Sequence, residues 1–176
     1  LAAHLEEGAY AGAQVHFIGH LQTNKVKQVV GRVDLIHSVD SERLLRAIQA
    51  QAEKLQICQD ILLEVNLAGE QSKGGVSIGS LPALAELTRE FSHVRLRGLM
   101  AIPPISQNQG DNRQYFSKLH QLYVDITEKI LDNQSEMDCL SMGMSGDYAD
   151  AIAEGATLVR VGTALFGPRP PMRAFS

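Results

Sequence analysis

Short apolar runs alternate with longer segments of helical period along almost the whole chain, and this alternation restricts the folds open to it. Strands are expected over residues 15–19, 35–39, 60–66, 96–102, 139–144 and 158–163. Several are nearly continuous in apolar character, as in Ile61-Leu62-Leu63-Glu64-Val65, which suits strands covered on both faces. Helices are expected between them. Over 41–55, Ser41 is a candidate cap, and Leu44, Leu45, Ile48 and Ala52 form one stripe. Further helices are expected over 81–91 (Leu84, Leu87, Phe91), over 112–131 (Tyr115, Leu119, Leu122, Ile126, Ile130) and over 147–154, the last closed by Gly155. Residues 21–30 are helical in pattern only in part, since their valines favour strand. Residues 67–80 and 103–109 read as loops. Strand–helix–strand alternation implies right-handed crossovers and a parallel sheet. Six units in 176 residues average about 29 residues each, the size of a βα step. Two architectures fit. One is an open, doubly wound sheet. The other is a (β/α)8 barrel, for which two more such units would give roughly 234 residues, inside the barrel range.

No linker-like composition divides residues 1–176, so a single domain is expected. Apolar residues make up 44% and charged residues 20%, which excludes a disordered chain. The 16 basic and 20 acidic residues give a net charge of −4 with no block of like sign, so a nucleic-acid partner is not expected. No stretch approaches the roughly 18 apolar residues of a membrane span. Cys58 and Cys139 are too few for a disulfide framework and have no metal-ligand spacing around them. Both are expected to be buried thiols of a reducing, cytoplasmic protein. The chain opens on Leu1 with no signal-peptide pattern, and an N-terminally incomplete sequence is expected.

Residues able to carry chemistry fall at the ends of the expected strands. In Leu140-Ser141-Met142-Gly143-Met144-Ser145-Gly146-Asp147, Ser145 lies just past a strand and just before a helix. Its hydroxyl and the free N–H groups of a helix start make an anion site. Gly162 and Thr163 end the next strand, where glycine permits close backbone approach and threonine supplies a donor. In barrels a phosphate site often forms from the loops after the last two strands. The plain alternative is that Ser145 only caps a helix and Gly162 only opens a turn. Strand parity puts Leu158, Arg160 and Gly162 on one face. An arginine inside an apolar strand must be paired, either with a carboxylate such as Asp60 or Glu64 or with an acceptor on a bound ligand. His16 and His20 straddle a strand–helix junction and are not expected to bind metal. Lys73 in Ser72-Lys73-Gly74-Gly75 lacks the spacing of a phosphate-binding P-loop and reads as a loop lysine. Met142 and Met144 are expected to fill core.

Taken jointly, residues 16–27, 63–74, 96–103, 140–147 and 151–167 resemble the YggS/PROSC family of pyridoxal 5′-phosphate (PLP) homeostasis proteins. The resemblance runs in family order from Val15 onward. It implies a (β/α)8 TIM barrel of the alanine racemase N-terminal type, with PLP at the C-terminal mouth. It assigns Ser145, Gly162 and Thr163 to the phosphate and Arg160 to the pyridine nitrogen. The family's first strand, which ends in the Schiff-base lysine, and its Phe-Gly-Glu-Asn segment have no counterpart here. Units three to eight are therefore expected, with the first two missing and the Schiff-base lysine absent from this chain.

An arginine has no dissociable proton to share at neutral pH, so it leaves the pyridine nitrogen unprotonated and weakens the cofactor as an electron sink. The resemblance thus implies intracellular PLP homeostasis without established turnover or a catalytic residue. PLP-dependent apoenzymes are the implied recipients, and the full-length protein is implied to be a monomer. The alternatives are a PLP-dependent amino-acid racemase of the same fold, and a phosphate-binding barrel with no PLP role. Neutralisation of Arg160 by an interior carboxylate would favour the last.

Overall fold

A computed structural model of the chain describes residues 7–70, 73–104, 108, 110–130 and 137–167. Its strands are β1 (His16–Phe17), β2 (Leu35–Val39), β3 (Gln59–Asn66), β4 (Val76–Ser77), β5 (Val94–Met100), β6 (Cys139–Met144) and β7 (Leu158–Arg160). Its α-helices are α1 (Glu42–Leu55), α2 (Leu81–Leu87), α3 (Arg113–Lys129), α4 (Tyr148–Ala153) and α5 (Thr163–Phe166). All strand pairs are parallel, in the order β1-β2-β3-β5-β6-β7, with β4 beside β3. No helix among the described residues is long and apolar enough to cross a membrane.

Alternation along the strands sorts side chains onto two faces. Ile36, Ile61, Leu63, Leu99, Leu140 and Met142 join the helices in one large core. Helix α1 contributes Leu44, Leu45, Ile48 and Ala52, and starts where the Ser41 hydroxyl accepts from the Leu44 N–H at 3.4 Å. Helix α3 contributes Phe116, Leu119, Leu122 and Ile126. The opposite face carries a smaller cluster of Leu35, Leu62 and Met100.

That second face is concave. His37 on β2 and Ser141 on β6 hydrogen-bond side chain to side chain at 3.0 Å, although β3 and β5 lie between their strands. Three strand spacings in a flat sheet would hold them about 14 Å apart. The sheet is therefore curled, and the fold is an α/β, TIM-barrel-like arc with helices outside. A bulge sharpens the curl: Ile61 pairs with Leu96 but Leu62 pairs with Gly98, so Arg97 is skipped. Arg97 then reaches Asp60 at 2.7 Å and Asp138 at 2.9 Å. Arg95 also binds Asp60, at 2.6 Å.

Several local expectations need correcting. The last strand stops at Arg160 rather than 163, because the Gly162 carbonyl accepts from the Leu165 and Phe166 N–H groups at 2.9 Å and winds the next residues into α5. Residues Thr23–Gln28 form a 3₁₀ segment instead of an α-helix. Phe116, not Tyr115, starts the buried stripe of α3. Cys58 is exposed and Cys139 half-buried. Met142 is buried as expected, but Met144 is 37% exposed. In the expected loops, residues 71, 72, 105–107 and 109 lie outside the described set, as does residue 131 of the third expected helix.

Candidate functional site

The C-terminal ends of β6 and β7 bring Ser145, Gly162 and Thr163 together. Ser145 sits in a turn closed by the Asp147 N–H donating to the Met144 carbonyl at 3.1 Å. Asp147 braces the turn from both sides. Its carboxylate accepts from the Met144 N–H at 2.7 Å and from the Asn112 amide, also at 2.7 Å. So held, the Ser145 hydroxyl oxygen accepts from the Gly162 and Ala164 N–H groups at 3.2 Å each. Thr163 is the first residue of α5 and joins neither bond. A Cβ on Gly162 or on Gly146 would meet no atom within 4 Å. The two glycines therefore border open space rather than relieve a clash. The Asp147 carboxylate is turned to the Met144 and Asn112 donors, so the cradle offers the Ser145 hydroxyl proton, and a phosphate can take over the Gly162 and Ala164 N–H groups from the Ser145 oxygen.

Arg160 points into the concave interior. Its guanidinium donates to the Ser141 hydroxyl at 2.6 Å and to the Ala101 carbonyl at 2.8 Å. Neither carboxylate weighed from the sequence pairs with it: Asp60 is taken by Arg95 and Arg97, and Glu64 makes no ion pair among the described residues. Burial is the main influence pulling the Arg160 pKa down, while Asp147 and Glu64 oppose it from a distance. An arginine remains charged regardless. It thus sits in the interior with neutral acceptors only, and retains N–H groups beyond these two bonds. That fits a ligand offering a ring-nitrogen acceptor.

A polar chain through His37 and His16 went unnoticed in the sequence. Arg160 can only donate to the Ser141 hydroxyl oxygen, and the same hydroxyl hydrogen-bonds His37 Nδ1, 3.0 Å away. The other ring nitrogen, His37 Nε2, hydrogen-bonds His16 Nδ1 at 3.1 Å. His37 is 2% exposed and Ser141 fully buried. One signal was available: His37 has the same strand parity as Leu35, so it points to the concave face just as Arg160 does. Among the described residues no cluster of three or more His, Cys, Asp or Glu could hold a metal.

Burial, then His16 and Arg160, push the His37 pKa down to about 3. The unfolded chain binds a proton at that ring near pH 6.5. Between those values the unfolded state carries the extra proton, so this contribution is complete above pH 6.5 and is lost as pH falls toward 3. Between pH 7 and pH 5 the loss should reach about 2 kcal/mol. Urea denaturation across this range should show a steeper decline for the parent chain than for His37→Gln. Equal slopes would mean that His37 titrates as an exposed histidine does.

The chain and its fold have counterparts among known proteins. The sequence model of the alanine racemase N-terminal domain matches residues 2–170. A pyridoxal phosphate homeostasis protein of Aquifex aeolicus is 50% identical over 154 residues, covering 88% of this chain and 66% of its own. Its counterpart in Pseudomonas aeruginosa is 41% identical, with 88% and 64% covered. The chain thus spans about two thirds of the length of these curated relatives. PipY of Synechococcus elongatus, solved with PLP bound, superposes with a TM-score of 0.85 at 32% identity, covering 94% of this chain and 76% of its own.

Proposed function

We propose, from the premise that this chain belongs to the alanine racemase N-terminal domain family and within it to the YggS/PROSC pyridoxal phosphate homeostasis proteins, that it binds PLP at the C-terminal rim of its strands and serves PLP homeostasis. Ser145, Gly162 and Thr163 hold the phosphate, and Arg160 faces the pyridine nitrogen. When bound, PLP supplies an aldehyde that reacts with amines. The observation that carries the reading is the state of Arg160: half-buried, charged and, among the described residues, bonded only to a hydroxyl and a carbonyl. A phosphate-binding barrel with no use for a ring nitrogen has no need of it there. Arg160 leaves the ring nitrogen unprotonated, which suits carriage of the cofactor better than racemisation.

The finer reading takes the six principal strands as the third to eighth of an eight-stranded barrel. The coverage of PipY supports it, at 94% of this chain but 76% of that one. PLP-dependent apoenzymes are the recipients, and the full-length protein is a monomer.

A fluorescence titration of the 176-residue chain with PLP, pyridoxal and inorganic phosphate tests the reading. PLP should bind saturably, phosphate should compete, and pyridoxal should bind at least tenfold more weakly. Equal binding of PLP and pyridoxal would dismiss the phosphate cradle. Absence of saturable PLP binding would dismiss the function.

A further inference from the structure

Glu64 is the interior ionisable group that the reading above leaves unused. It lies near the C-terminal end of β3 with the parity of Leu62, facing the concave side. Its carboxylate takes part in no hydrogen bond or ion pair among the described residues, although it is only partly exposed. Burial and the neighbouring Asp40 raise its pKa, opposed by His20 and Arg160. A sheltered carboxylate without a donor is unfavourable unless a ligand or solvent supplies one.

Glu64 borders a cavity of about 210 Å³ together with Asn66, Ala68, Lys73, Gly74 and Ile102. The carboxylate oxygens pack near Gly74, 3.6 and 3.7 Å from where a Cβ on that residue would sit. The other polar groups are sorted by their existing bonds. Lys73 is held by Glu70 at 2.9 Å, so the lining's own cation is engaged. The Asn66 amide nitrogen donates to the Glu70 carbonyl at 2.9 Å, leaving its Oδ1 as an acceptor. The unused groups are thus a charged acceptor and a neutral acceptor, beside the apolar Ala68 and Ile102. This set complements a monovalent donor cation on an apolar stem. It does not complement a metal, since no cluster of three ligands is present among the described residues.

We infer that this cavity is a subsite for an alkylammonium group of the lysine side-chain kind, held by the Glu64 carboxylate and Asn66 Oδ1. Ile102 follows Ala101, whose carbonyl accepts from Arg160, so the subsite adjoins the proposed cofactor site. The inference deepens the PLP reading, because primary amines are the class of compound that a bound aldehyde meets. Its biological meaning rests on that reading, but its test does not.

The test uses the chain without PLP. Amide and side-chain NMR spectra are followed during titration with n-butylammonium chloride, Nα-acetyl-lysine amide, alanine and n-butanol. Butylammonium and the lysine derivative should shift Glu64, Asn66 and Gly74 saturably, and n-butanol should not. Alanine should bind at least tenfold more weakly, since the only cation among the cavity's described lining residues, Lys73, is paired with Glu70. The isosteric Glu64→Gln should weaken butylammonium binding at least tenfold while its other resonances stay in place. No saturable shift at these residues, equal affinity in Glu64→Gln, or alanine binding as tightly as butylammonium would each overturn the subsite. PLP binding with no amine binding would remove this inference and leave the cofactor reading standing. Amine binding with no PLP binding would do the reverse.

Discussion

Gly98→Ala should abolish the cooperative fold. Gly98 occupies the bulge of β5 at φ +154°, a conformation that side-chain-bearing residues rarely adopt. A Cβ there would lie 1.7 Å from the Cys139 carbonyl oxygen and 2.7 Å from its carbon. These are backbone atoms of the adjacent strand, and no rotamer change can move them. Gly98 pairs with Leu62 on one side and Cys139 on the other, so relief of the clash must part β5 from β6 in the middle of the sheet. The ladder beyond it carries Ser141, and with it the interior chain to His37 and Arg160. A loss of more than about 4 kcal/mol is expected, a large share of the roughly 5–15 kcal/mol that holds a domain together. Far-UV circular dichroism during urea titration would show no sigmoidal transition. Gly79→Ala is the control: nothing lies within 4 Å of its Cβ position, and the change should stay within about 0.5 kcal/mol. A Gly98→Ala transition within 1 kcal/mol of the parent would show that the β5–β6 pairing is looser than its geometry implies.

The value of Gly98 could not be read from Leu96-Arg97-Gly98-Leu99, which looks like any apolar strand with a small residue in it. The order of strands and helices was legible, because hydrophobic period and cap chemistry are local. Ser41 caps α1 as its position before Leu44 and Leu45 suggests. What depended on distant partners was not legible. The two-residue strand β4 forms because Gly75, at φ +105°, lets the chain pass where a Cβ would sit 2.7 Å from the Asn66 nitrogen. The end of β7 was placed too late because Val161-Gly162-Thr163 looks like more strand, whereas the Gly162 carbonyl is recruited by Leu165 and Phe166. At the site, Ser145 and Gly162 could be found from their places after consecutive strands. The partners of Arg160 could not. Ser141 lies in a different strand, Ala101 contributes a main-chain carbonyl, and His37 meets Ser141 across 104 residues of sequence. Parity shows which way a side chain points. It does not show what stands opposite once the sheet curls.

Arg160→Leu should lower PLP affinity ten- to a hundredfold, and it should also weaken the fold. The first effect follows from removing the charge-assisted donor proposed for the ring nitrogen, about 1.5–3 kcal/mol. The second follows from the two bonds it already makes. Ser141 is fully buried and Ala101 is 1% exposed, so leucine would leave a hydroxyl and a carbonyl without the donor they now have. The Ala101 carbonyl is orphaned at a cost of about 1–3 kcal/mol, whereas Ser141 keeps its bond to His37, and the cost is offset in part because no guanidinium need then be buried. A net loss of about 1–3 kcal/mol in stability is expected. Arg160→Lys separates the two roles. A lysine keeps the charge but lacks the planar fork that reaches Ser141 and Ala101 together, so it should recover less stability than its charge alone would suggest. Ser145→Ala should cost only about 1 kcal/mol of PLP affinity, because the Gly162 and Ala164 N–H groups that now bind its oxygen become free for the phosphate. Unfolding curves and PLP titrations on the same three variants distinguish the outcomes. A ring contact requires Arg160→Leu to lose more affinity than Ser145→Ala at a temperature where both are folded. If Arg160→Leu binds PLP like the parent chain while Ser145→Ala binds none, then Arg160 only ties β7 to Ser141 and Ala101, and the phosphate cradle carries recognition by itself.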